Sequence, residues 1–269
     1  MDELKKVVKI EYLRGGESAM YKLPAVKLKY GNDTKKNHIQ FVFENGISQG
    51  DIIKAKEGDF ALRVRFAHQS PIAIAIREEL NMVNKLARRR PSLFGEGDIA
   101  FYDLALKSVA NISNPNLAFK TEADSLEKGY TNTFNHFTAQ ALITTLCSDT
   151  VADFVGNVHE RYYMPELLTG EFTEQQIVDP NINPVDNYVD LFNNELGQIL
   201  GKYLKSKYTI SKETYWTPYL LTNYLNDVQS YYAWSFNVSF YPFKPHDDLI
   251  AKFTAKINRV SQGMSFSDY

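Results

Sequence analysis

The sequence predicts an α+β protein: a small antiparallel β module first, then a mainly helical domain, then a mixed C-terminal segment. Three observations carry this. Apolar residues near the N-terminus alternate with period two, the pattern of half-buried strands. From residue 70 onward the period lengthens to three and four, with capping residues and prolines where it changes. Strands precede helices instead of alternating with them, which separates α+β from α/β.

Residues 1–69 read as a β-rich docking or delivery module, the part expected to meet a protein partner. Its strands are "KVVKIEYLR", "AMYKLPAVKLKY", "HIQFVFENG" and "FALRVRF", arranged as a sandwich or half-barrel. In the last of these, Phe60, Leu62, Val64 and Phe66 alternate with Ala61, Arg63 and Arg65, a dry face against a wet one. Asn45-Gly46 is a tight-turn signal, and "YGNDTKKN" is a polar loop.

Residues 70–207 form the helical domain. "SPIAIAIREELNMVNKLARRRP" reads as one long helix, with Ser70 as N-cap, Pro71 at the first position and Arg88, Arg89 and Arg90 at its end. A short helix starts near Asp98, and residues 120–130 are a polar connection. Three helices follow, over 131–147, 149–163 (with Asp149 as N-cap) and 185–206. A turn-rich loop with Pro165, Gly170, Pro180 and Pro184 separates the last two. Residues 208–269 should hold a helix in "KETYWTPYLLTNYLNDVQSYY", a strand in "AWSFNVSFYPF", a helix in "HDDLIAKFTAKINRV" and a frayed tail, packed on the core.

Composition narrows the function classes. The chain has 269 residues, 44% of them hydrophobic, so it can bury a substantial core. A net charge of -2 gives no field for nucleic acid, and none is expected as a partner; the three arginines read as charge suited to a helix C-terminus. The single cysteine, Cys147, excludes an intrachain disulfide and a cysteine-based zinc site, and reads as a small buried hydrophobe. No apolar run suits a signal peptide or a membrane span of about 20 residues. The expectation is a chain made in the cytoplasm, with any export by a route that reads no cleavable signal.

The chemistry-bearing residues lie on the three helices of 131–207. In "DLFNNELG", Asp190, Asn193, Asn194 and Gly197 fall at i, i+3, i+4 and i+7, so the residues that weaken a helix stack on one stripe. His136 and Gln140 share a face of the first helix, and His159-Glu160 borders the dry stripe of the second. Packed inward, His136, His159, Glu160 and Asp190 could ligate a divalent metal, with His136, His159 and Asp190 as candidate ligands. Without metal they could run acid–base chemistry, with Gln140, Asn193 and Asn194 binding substrate. The same residues could equally hydrogen-bond one another and fix helix register.

The order "NHFTAQAL" (135–142), "HE" (159–160) and "DLFNNELG" (190–197) resembles a bacterial helical domain family. Its members carry Arg/Asn-His before an Ala- and Leu-rich helix, then His-Glu, then Asp-Leu-x-Asn-Asn-x-x-Gly, and they occur in phage-linked and secreted toxin-like proteins. This chain departs from the pattern at Asn135, where Arg is common, and at Gln198, where many members have Arg. The resemblance implies an effector- or toxin-like hydrolase acting on a cell-envelope or phosphate-containing substrate. The alternative is a structural, adaptor or cargo protein of a phage-like assembly.

Overall fold

A computed structural model describes residues 8–13, 25–30, 39–179 and 185–262. The fold class is α+β and mainly helical, as the hydrophobic periods require. Two compact units are distinguishable: residues 1–75 with 154–193, and residues 76–153 with 194–269.

The first unit contains an antiparallel sheet of β1 (Val8–Leu13), β2 (Ala25–Tyr30) and β3 (Ile39–Glu44), in that order. Val26 opposes Tyr12 on one side and Phe43 on the other. Val26, Leu28 and Phe43 form one apolar cluster with Met164, Leu167, Tyr188, Val189, Leu191 and Phe192. Among the described residues this is a single sheet, not a sandwich or half-barrel. The loop expected at residues 31–37 lies outside the described residues.

Asn45-Gly46 does not close a hairpin; it leads from β3 into helix α1 (Gln49–Glu57), which a capping box between Ser48 and Asp51 starts. "FALRVRF" is not a strand. It begins helix α2 (Phe60–Gln69), where the Asp59 side chain accepts from the Leu62 N–H at 2.9 Å. None of its ten residues is buried, and the helix satisfies its backbone groups locally.

The long helix expected from residue 70 is broken. A one-turn helix, Pro71–Ala75, is followed by α3 (Arg77–Leu86), with Ile76 off the helical angles between them. Arg88–Arg90 lie beyond α3 and are tied to the segment after it. Arg89 Nε donates to Asp103 at 2.9 Å, and the Arg90 N–H donates to Asp98 at 2.6 Å. Lys256 Nζ donates to Asp98 (2.8 Å), the Arg88 carbonyl (2.9 Å) and the Ile99 carbonyl (2.7 Å), which uses all three of its N–H groups.

The second unit is built around α4 (Phe101–Ala110), α5 (Asn132–Leu146), α8 (Pro218–Phe236) and α9 (Asp248–Ser261), with α6 (Asp149–Tyr162) and α7 (Val185–Lys207) each divided between the two units. The expected helices at 131–147, 149–163 and 185–206 are therefore present as α5, α6 and α7. Ser148 precedes the first residue of α6 and its hydroxyl accepts the Val151 N–H at 3.2 Å, while the Asp149 carboxylate accepts the Thr150 N–H at 3.0 Å. Phe134 of α5 stacks on Tyr232 of α8 at 4.0 Å, and the Tyr232 hydroxyl meets Thr138 at 2.7 Å. The expected strand "AWSFNVSFYPF" is instead the end of α8 and a loop, with one isolated bridge from Phe240 to Ile112. Phe236 and Phe240 both lie against Phe134, whereas Trp234 and Tyr241 are exposed. The expected frayed tail, residues 263–269, lies outside the described residues.

Candidate metal centre

Helix α5 holds His136 and Gln140 on one face because they are spaced i, i+4. Both meet α7. His136 Nδ1 is 3.1 Å from Asn194 Oδ1, and Gln198 Nε2 donates to Gln140 Oε1 at 3.3 Å. Two glycines allow this approach. A Cβ on Gly197 would lie 2.6 Å from the Phe137 carbonyl oxygen, and one on Gly201 would lie 2.5 Å from that of Ala141. The pair forms Gly-x-x-x-Gly, the small-residue spacing that lets two helix backbones close up. Thr145 adds a bond to the Gly201 carbonyl at 3.0 Å. Gly201 was not among the residues singled out from the sequence; its spacing from Gly197 was the available signal.

Helix α6 ends on the segment that joins β3 to α1. Arg161 Nε donates to the Glu44 carbonyl at 2.9 Å, and its guanidinium lies 5.0 Å from the Phe43 ring centre. A Cβ on Gly50 would lie 3.2 Å from the Tyr162 ring. In the same place His159 Nδ1 is 3.2 Å from Gln49 Oε1. Gln49 escaped sequence reasoning, since nothing local marks a glutamine 110 residues away from its histidine.

Both rings face an amide oxygen through Nδ1. An amide oxygen only accepts, so each Nδ1 must be the N–H donor. In a neutral imidazole the lone pair is then on Nε2, the nitrogen able to take a metal. His136 belongs to the second unit, while His159 and Glu160 are neighbours on the part of α6 that belongs to the first. Both histidines are half-buried, and Glu160 is 2% exposed.

Asp190, Asn193 and Asn194 are all buried in the middle of α7. Asn193 Nδ2 has no hydrogen-bond partner among the described residues. Cys147 is also buried, and burial, with Glu79 adding to it, pushes its thiol up to about 12. It is a neutral packing group at neutral pH, as its context in the sequence suggested.

No protein-family model, curated protein or solved structure matches this chain. Among the described residues, no helix is long and apolar enough to cross a membrane.

Proposed function

We propose that this chain is a hydrolase of the effector or toxin-like kind, with His136, His159, Glu160 and Asp190 as its chemistry-bearing residues and a divalent metal ion as its cofactor. One observation carries the reading: two half-buried histidines each have Nδ1 against an amide oxygen, His136 at 3.1 Å from Asn194 Oδ1 and His159 at 3.2 Å from Gln49 Oε1. Two imidazole nitrogens and a carboxylate oxygen suit zinc and its neighbouring divalent metals. A divalent ion held by such ligands would supply Lewis acidity toward a carbonyl or phosphoryl oxygen and lower the pKa of water.

The chain's own residues do the rest. Asn194 and Gln49 orient the two imidazoles through Nδ1. Asn193 Nδ2, a buried donor without a partner among the described residues, suits a substrate oxygen. The substrate class is a cell-envelope or phosphate-containing molecule, in line with the resemblance of the three motifs to a toxin-linked family. The β-rich N-terminal part serves to dock a protein partner.

The test is elemental analysis of the purified full chain, joined to hydrolysis assays on phosphodiesters and peptidoglycan fragments. His136→Ala and Glu160→Gln are expected to lose both metal and activity while melting within a few degrees of the parent. A second reading has its own support. His136–Asn194 and Gln140–Gln198 are successive rungs along α5 and α7, which is how a structural network in an adaptor or cargo protein would look. A metal-free parent, with both variants strongly destabilised, would favour that reading.

A further inference from the structure

The arginine run after α3 and the basic face of α9 meet in the second unit. Lys252, Lys256 and Arg259 are spaced i, i+4 and i+7, so they share one face of α9. Each touches the segment that leaves α3. The Lys252 ammonium lies beside Gly97, 2.9 Å from where a Cβ would stand. Lys256 Nζ donates to the Arg88 carbonyl at 2.9 Å and lies 4.8 Å from the Phe94 ring centre. The Arg259 guanidinium lies 5.5 Å from the same ring centre. Acids neutralise part of this charge: Asp98 pairs with Lys256, Asp103 with Arg89 and Asp248 with Lys252. Glu96, the other acid of the segment, is exposed. Among the described residues, Arg88, Arg90 and Arg259 have no carboxylate partner. Arg90 Nε is buried and has no hydrogen-bond acceptor among them.

We infer that Arg90 and Arg259, gathered around Lys256, bind a phosphate group of a small soluble molecule. The inference does not rest on the histidines or on the hydrolase reading. A buried guanidinium nitrogen without an acceptor is costly and calls for a partner. Arg90 also repels its neighbours. After burial, its charge is the further cause that lowers the Lys85 pKa, and it adds to burial at Lys256 against the opposing pull of Asp98. An anion relieves both. The guanidinium fork matches carboxylate and phosphate oxygens. A phosphate group carries about two negative charges and three acceptor oxygens, so it can serve two cations where a carboxylate serves one. The unpaired arginines come from one connection and one helix face, and the net charge of the chain is -2. Neither a long basic stripe nor a global field therefore favours a nucleic acid.

The experiment is a calorimetric titration of the full chain with inorganic pyrophosphate at low ionic strength. Sedimentation on phosphatidylserine-containing vesicles and binding of a single-stranded oligonucleotide are its comparison arms. The parent, Arg90→Gln, Arg259→Gln and Lys120→Gln are compared, and each is also melted. Lys120 is exposed and outside the cluster, so its variant controls for net charge alone. Lys256 is left in place, because the buried Asp98 depends on it. Arg90→Gln and Arg259→Gln are each expected to weaken pyrophosphate binding about 10-fold or more, with Lys120→Gln close to the parent. Arg259→Gln should melt with the parent, since Arg259 is exposed. A parent that binds pyrophosphate no better than Arg259→Gln overturns the site, as does a Lys120→Gln variant weakened to the same degree. Tighter binding of the vesicles or the oligonucleotide than of pyrophosphate overturns the choice of a soluble ligand.

Discussion

Single side chains in this protein are mostly explained by what they would lose in water or gain from one partner. Lys256 and Asp98 are an ion pair with side chains 1% and 3% exposed, and the lysine also feeds two backbone carbonyls. Burial lowers the Lys256 pKa, and Asp98 works against that shift. Removing the carboxylate strands a buried ammonium. Asp98→Ala is therefore expected to cost about 3–5 kcal/mol in a urea unfolding experiment; a loss under ~1 kcal/mol would mean the pair is not buried as described. Cys147 should resist thiol reagents at neutral pH in the native chain and react once the chain is denatured, because burial holds its thiol up to about 12. Rapid labelling of the folded protein would contradict that placement.

At the scale of elements, the contact of α5 with α7 decides what "DLFNNELG" is for. Helix propensity alone favours alanine over glycine by about 1 kcal/mol. Here the new methyl at Gly197 or Gly201 would be 2.6 or 2.5 Å from a carbonyl oxygen of α5, and backbone cannot yield as a side chain can. Overpacking should win, so Gly197→Ala and Gly201→Ala are each expected to destabilise by about 1–3 kcal/mol. The readout is the melting temperature, and a rise in either variant would show that the helices do not approach this closely. The same contact explains Gln198, where the resembled family often has Arg: it donates to Gln140 across the pair. Helix α2 shows the reverse case: "FALRVRF" alternates like a strand, yet it lies in a helix that the Asp59 side chain caps, and none of its residues is buried.

For the whole molecule, charge sets the acid limit. Burial works against ionisation of Asp103, but Arg89 and the Ala100 N–H outweigh it, so its carboxyl titrates below the ordinary value. A depressed carboxylate stabilises the fold fully above its unfolded pKa of about 3.9 and loses that contribution as pH falls through the lower folded value. Asp103→Asn should flatten the acid side of a stability–pH curve in that window; an unchanged slope would remove Asp103 from the account. The sequence by itself determined the fold class, the three motif helices and their polar stripes, because hydrophobic period and capping act over a few residues. It also marked His136, His159 and Glu160 as chemistry-bearing. Only the tertiary structure decided that "FALRVRF" is helical, that Gly197 works with Gly201, and that Gln49 holds His159. Each of those depends on a neighbour distant in the chain, or on the lack of one, and local pattern carries no information about which distant residue will supply a hydrogen bond.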